Sequence, residues 1–170
     1  MARIGRKSRL WLKAFHVFFM AVFISGNICL LVIFVFTGSA QSDGGLQAMY
    51  NIPDKFSIAI APCAAGTFIT GLLLSWLTPW GFFKHKWVVY TLAGTILSFL
   101  IYFPIILPLT IKLVDLVNAG GLLALQNPEY TSARNRLIII QTVYLLLMIS
   151  IVFISVIKPW EKHERTEATS

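Results

Sequence analysis

Four stretches of this chain carry no Asp, Glu, Lys or Arg for the full length of a bilayer crossing. They are Ala14–Phe36, Phe56–Leu77, Trp87–Leu109 and Leu137–Ile157. A helix needs about 20 apolar residues to traverse the hydrocarbon core. In lipid every backbone N–H and C=O must find an internal partner, which leaves helices or closed barrels. Barrel strands alternate apolar and polar residues, and these runs do not. The fold class that follows is all-α: an integral membrane four-helix bundle, one domain over 170 residues. Composition points the same way. Only 12% of the residues are charged, against about a quarter in soluble domains, and the mean hydropathy is +0.77.

The net charge of +7 is confined to the segments that flank the runs. Ten of the 14 Lys and Arg residues lie on one side, between Arg3 and Lys13, at Lys84 and Lys86, and between Lys158 and Arg165. Cationic loops stay inside, so both termini are expected in the cytoplasm of a multi-pass cell-membrane protein. Trp11, Trp80, Trp87 and Trp160 fall on that same side and read as interface anchors. "LTPWGFFKHKWVVY" is then a tight turn, with Pro79 and Gly81 as breakers. Charge placed in this way indicates anionic lipid headgroups as partners, not nucleic acid. A second copy of the chain or another membrane protein is the remaining partner class. A secretory signal is the competing reading of the first run, with Gly38 and Ala40 at small-residue positions. The run is longer than the 7–15 residues of such signals, so an uncleaved span is expected.

Outside the runs, Thr37–Lys55 reads as an irregular loop, and Ile111–Gln126 as a short helix lying on the outer interface. Asn127, Pro128 and Glu129 form a helix start, so the fourth helix should begin near Pro128. Pro62, Pro104 and Pro108 should kink or end helices. Residues 161–170 form a polar tail that reads as mobile.

Chemistry has few candidates. His16 is the one histidine inside a run, on a stripe with Met20, Phe23 and Asn27. It reads as a ligand or proton-exchanging group, or as an interfacial histidine near Lys13. Lys84, His85 and Lys86 lie at the same depth on the third helix, as snorkelling anchors or as half of a site with His16. Cys63, Thr67, Gly71 and Ser75 recur every four residues, and Thr91, Thr95, Ser98 and Tyr102 share a stripe on the next helix. Small residues at that spacing are a helix-packing signal; the other reading is a polar cavity between the two helices. Arg134 and Arg136 read as interfacial anchors, or as groups that bind a lipid phosphate or a carboxylate. No hydrolase, metalloprotease or nucleotide-site motif occurs, and Cys29 and Cys63 form no metal-ligand pair.

The segments "LKAFHVFFMAVFISGNICLLVIF" and "GLLLSWLTPWGFFKHKWVVYTLAG", with an arginine-bearing last helix, give the chain a family resemblance. It resembles the small bacterial predicted integral membrane proteins of unknown function. These are distantly similar to copper-resistance D-type membrane domains and four-helix membrane protoporphyrinogen oxidases. By position, the resemblance implies haem b at His16 and Lys86. Three functional classes follow: a non-enzymatic helical bundle, a haem-b membrane redox protein, and a small transporter or accessory subunit. The first is the leading expectation. Against the third stands the absence of Asp, Glu, Lys and Arg within the runs, where coupling groups are needed.

Overall fold

The computed structural model describes residues 4–160, with only the backbone at Asp54, Ser57 and Ala59. The polar tail 161–170 and the cations Arg3, Lys162 and Arg165 lie outside the described residues. Among the described residues all regular structure is helical. Five α-helices run Arg6–Phe36 (α1), Asp43–Leu77 (α2), Lys86–Ile101 (α3), Leu107–Gly120 (α4) and Pro128–Ile157 (α5). A widened π-type turn, Tyr102–Ile106, joins α3 to α4. A tighter 3-10 turn, Gly121–Gln126, follows α4. Among the described residues four helical stretches are long and apolar enough to cross a membrane.

Three of the helices outrun a bilayer, the 30-residue α5 at about 45 Å among them. At 1.5 Å per residue, the 31 residues of α1 extend about 46 Å and the 35 of α2 about 52 Å. A hydrocarbon core is about 30 Å thick. The excess of α2 is its first part, which the sequence had suggested as an irregular loop. Ser42 starts the helix: its hydroxyl accepts from Gly45 N at 3.1 Å. Asp43 sits in the first turn and its Oδ1 accepts from Leu122 N at 2.6 Å. Burial supplies the rest, since Leu46 and Tyr50 are wholly enclosed.

The segment expected to lie alone on the interface is instead a continuation of the third span. Pro104 lacks an N–H and its ring would crowd the carbonyl of Leu100, so the helix widens there rather than ending. Beyond that turn, Leu113 and Val117 of α4 are fully buried. They form one core with Phe34, Leu46, Tyr50, Tyr130 and Leu137. The start of α5 matches expectation: Asn127 Oδ1 accepts from Glu129 N at 2.8 Å, and Pro128 takes the first helical position.

Polar groups lock this capped end. The Tyr50 hydroxyl donates to the Tyr130 hydroxyl at 3.1 Å. Burial, and then that neighbour, push the Tyr50 phenol above its usual range. Arg134 is not an interfacial anchor. Its guanidinium donates to Val35 O at 2.6 Å, Phe34 O at 3.2 Å and Thr37 Oγ1 at 2.8 Å, closing the last turn of α1. Arg136 remains exposed. Deeper in, Gln141 Nε2 donates to Asn27 Oδ1 at 3.1 Å, between two buried amides.

The most extensive seam joins α1 to α2; α3 packs on α5, and α1 also meets α5. Glycine permits the close approaches. A Cβ at Gly26 would overlap Ile60, and one at Gly94 would stand 2.8 Å from Ile151. No comparable seam joins α2 to α3.

Candidate functional site

Where α2 and α3 fail to pack, the bundle holds a cavity of about 490 Å³. It lies in the half away from the capped end, among α1, α2, α3 and α5. Along α1 its wall runs from Lys13 to Ile24, roughly 16 Å at helical rise. Phe68 and Phe99 meet edge to face at 5.4 Å and link α2 to α3 on this wall.

The stripes read as packing faces supply much of the lining. Thr67, Gly71 and Ser75 of α2 line the cavity, as do Thr91, Thr95 and Ser98 of α3. The second sequence reading, a polar cavity between the two helices, describes them better. Cys63 lies outside the lining, half-buried on α2. Each of four hydroxyls donates to a carbonyl of its own helix: Thr67 to Cys63, Thr91 to Val88, Thr95 to Thr91 and Ser98 to Gly94, at 2.7–2.9 Å. Ser155 of α5 does the same with Val152 at 2.8 Å. With their one proton committed, these groups show the cavity only lone pairs.

His16 lies on the wall with Met20 and Phe23 of its stripe. Asn27, the fourth member, turns away to Gln141. The His16 Nδ1 lies 2.9 Å from Thr70 Oγ1. Gly71 makes room for the ring, since a Cβ there would come within 3.1 Å of His16 Cε1. Lys86 is exposed and is not among the lining residues. Of the pair that the family resemblance assigns to haem, the lining holds His16 and not Lys86. Among the described residues no three His, Cys, Asp or Glu converge.

At the cation-bearing end, the Trp80 and Trp87 rings meet edge-on at 5.3 Å. Lys158 Nζ lies 4.5 Å and 4.8 Å from their centroids, a double cation–π contact. Trp87 is only 7% exposed, and its Nε1 is buried without a hydrogen-bond partner. It is thus part of the wall rather than an interface anchor. Trp11 is exposed and Trp160 half-buried, 6.4 Å from Tyr90. His85 stacks beside Trp87 at 6.3 Å, and Lys84 is exposed.

Sequence reasoning missed Lys158, Tyr144 and Trp76. Lys158 ends α5 in a left-handed conformation just before Pro159, a helix-stop pattern that could have flagged it. Tyr144 of α5 lines the cavity without any motif to mark it. Trp76, 63% exposed near the end of α2, has the exposure of an anchor.

Among the described residues the geometry defines an all-helical bundle with four helices fit to cross a membrane and a cavity in one half. The chain matches no family model, and neither curated proteins nor solved structures return a match.

Proposed function

We propose that this is a non-enzymatic multi-pass protein of the cell membrane that holds one small amphipathic molecule in its cavity. Small-molecule sites are mostly apolar clefts of about 300–1,000 Å³ with a few polar groups. The observation that carries the reading is a cavity of about 490 Å³ with such walls, inside the spans. An engineered cavity of about 150 Å³ takes benzene, so this one suits roughly 15–20 non-hydrogen atoms. Its orientation follows from charge. Arg6, Lys7, Arg9, Lys13, Lys84, Lys86 and Lys158 flank one end of the spans, which supports an orientation with both termini and the cavity's cationic end toward the cytoplasm.

Native mass spectrometry of the detergent-solubilised protein with 1-dodecanol tests the reading. One bound dodecanol is expected, with at least a tenfold loss in Thr95→Phe, which fills the cavity. Ile139→Phe, on an exposed position, should bind like the unmodified chain. No bound dodecanol, or equal binding in Thr95→Phe, would refute it. The second reading, a haem-b redox protein, draws on His16 alone. Haem addition would then give a Soret band that His16→Ala abolishes and Lys86→Ala leaves intact.

A further inference from the structure

We infer that the cavity selects a neutral amphipath whose head donates a hydrogen bond, such as an alcohol, and that Thr70 sets this preference without touching the ligand. The inference rests on the cavity's being a binding site, as proposed above. It starts from one proton. The Thr70 hydroxyl donates to Gly66 O at 2.6 Å, with Thr67 O a further acceptor at 3.2 Å. A hydroxyl has a single proton, so toward His16 the Thr70 oxygen can only accept. The 2.9 Å contact therefore requires the proton on His16 Nδ1.

In the neutral imidazole, a proton on Nδ1 leaves Nε2 as a lone-pair acceptor. The ring's Nδ1–Cε1 edge lies against Thr70 and Gly71 of α2. Nε2 is thus the nitrogen left to the cavity that His16 lines. The hydroxyls of Thr67, Thr91, Thr95, Ser98 and Ser155 turn their protons to their own helices, and the lining's donors include Lys13, Lys158 and the Trp87 Nε1–H, so the acceptor on which the preference rests is His16 Nε2. An apolar molecule, or an ether, leaves that acceptor unpaired. A hydroxyl head satisfies it. Thr70 is 92% buried behind the imidazole and is not part of the lining, so it is a positioning residue.

The test is a competition between isomers. Equal amounts of 1-dodecanol and deuterium-labelled 1-methoxyundecane, an ether of the same formula, are offered to the detergent-solubilised full chain. Native mass spectrometry reads the ratio of the two one-ligand complexes. One net buried hydrogen bond corresponds to a preference of about tenfold for the alcohol. Thr70→Val, which releases the imidazole proton, should bring the ratio toward one, and Thr70→Ser should keep it. His16→Phe should also abolish the preference while binding persists. A ratio near one in the unmodified chain overturns the inference and leaves the cavity reading standing. So does a preference that survives Thr70→Val. Absence of either complex instead refutes the cavity reading itself. Should Thr70→Val fail to fold, the unmodified ratio and His16→Phe decide the matter.

Discussion

Arg134 and Arg136 are two residues apart and of one chemical type, yet the structure gives them opposite roles. The informative perturbation is Arg134→Met, which keeps the apolar stem and removes the fork. Three contacts disappear, at 2.6, 2.8 and 3.2 Å. Hydrogen bonds to a charged group contribute about 1.5–3 kcal/mol each. Their sum overstates the loss, because Arg134 is half-exposed and water can replace part of what is removed. Setting aside the longest contact and discounting the other two gives about 3 kcal/mol. The guanidinium also faces the negative end of α1, so charge alone retains something. Arg134→Lys should therefore recover about half, since an ammonium reaches one acceptor where the planar fork reaches several. Arg136→Met should change stability by less than about 0.5 kcal/mol, as exposed substitutions usually do. The assay is reversible unfolding in mixed micelles titrated with dodecyl sulfate, followed by circular dichroism. If Arg134→Met and Arg136→Met unfold together, Arg134 does not clamp α1.

Gly71→Leu should destabilise the bundle more than Leu73→Ala, because a side chain at Gly71 runs into His16 on the facing helix; equal melting of the two variants would contradict this. Gln141→Leu and Asn27→Leu, combined in a double-mutant cycle, should show a coupling of about 0.6–1.7 kcal/mol, the range measured for hydrogen bonds within membranes; a coupling near zero would mean the amides do not meet. Raised by burial, the phenol of Tyr50 keeps its proton in the folded state at pH values where the unfolded chain loses it. The stability this contributes is whole below about pH 10 and falls as pH rises beyond it. Tyr50→Phe should lose less between pH 8 and pH 11, read by the same titration, and an unchanged loss would count against the assignment. For topology, Ser8→Cys should be shielded from an impermeant thiol reagent in intact cells and Ser42→Cys labelled, with Cys29 and Cys63 replaced; the reverse pattern would invert the orientation.

The spans were legible because lipid leaves little choice: a helix facing hydrocarbon on most sides must be apolar over its length. The start of α5 was legible because Asn127 and Pro128 act locally. The start of α2 was not. Gly44, Gly45 and Pro53 are poor helix formers, and the helix holds there because Leu46 and Tyr50 are buried with residues of α4 and α5 far along the chain. Nor could spacing separate Arg134 from Arg136, since the acceptors that single out Arg134 belong to α1. The cavity was ambiguous for a related reason. A stripe of Thr, Ser and Gly looks the same whether it packs against a helix or lines a space. What decides is the order of helices around the bundle, and here α3 packs on α5 and leaves α2 without a matching seam. That order also divides the work between the two ends. Interhelical hydrogen bonds among Arg134, Thr37, Tyr50, Tyr130, Asn27 and Gln141 fix the helices at and just below the capped end. Toward the other end the wall hydroxyls of Thr67, Thr91, Thr95, Ser98 and Ser155 turn back on their own helices. In that half Thr70 and His16 join α1 to α2, and Tyr90 and Ser150 join α3 to α5. Neither bond reaches from one pair to the other; on the cavity wall that link is made by the edge-to-face contact of Phe68 with Phe99.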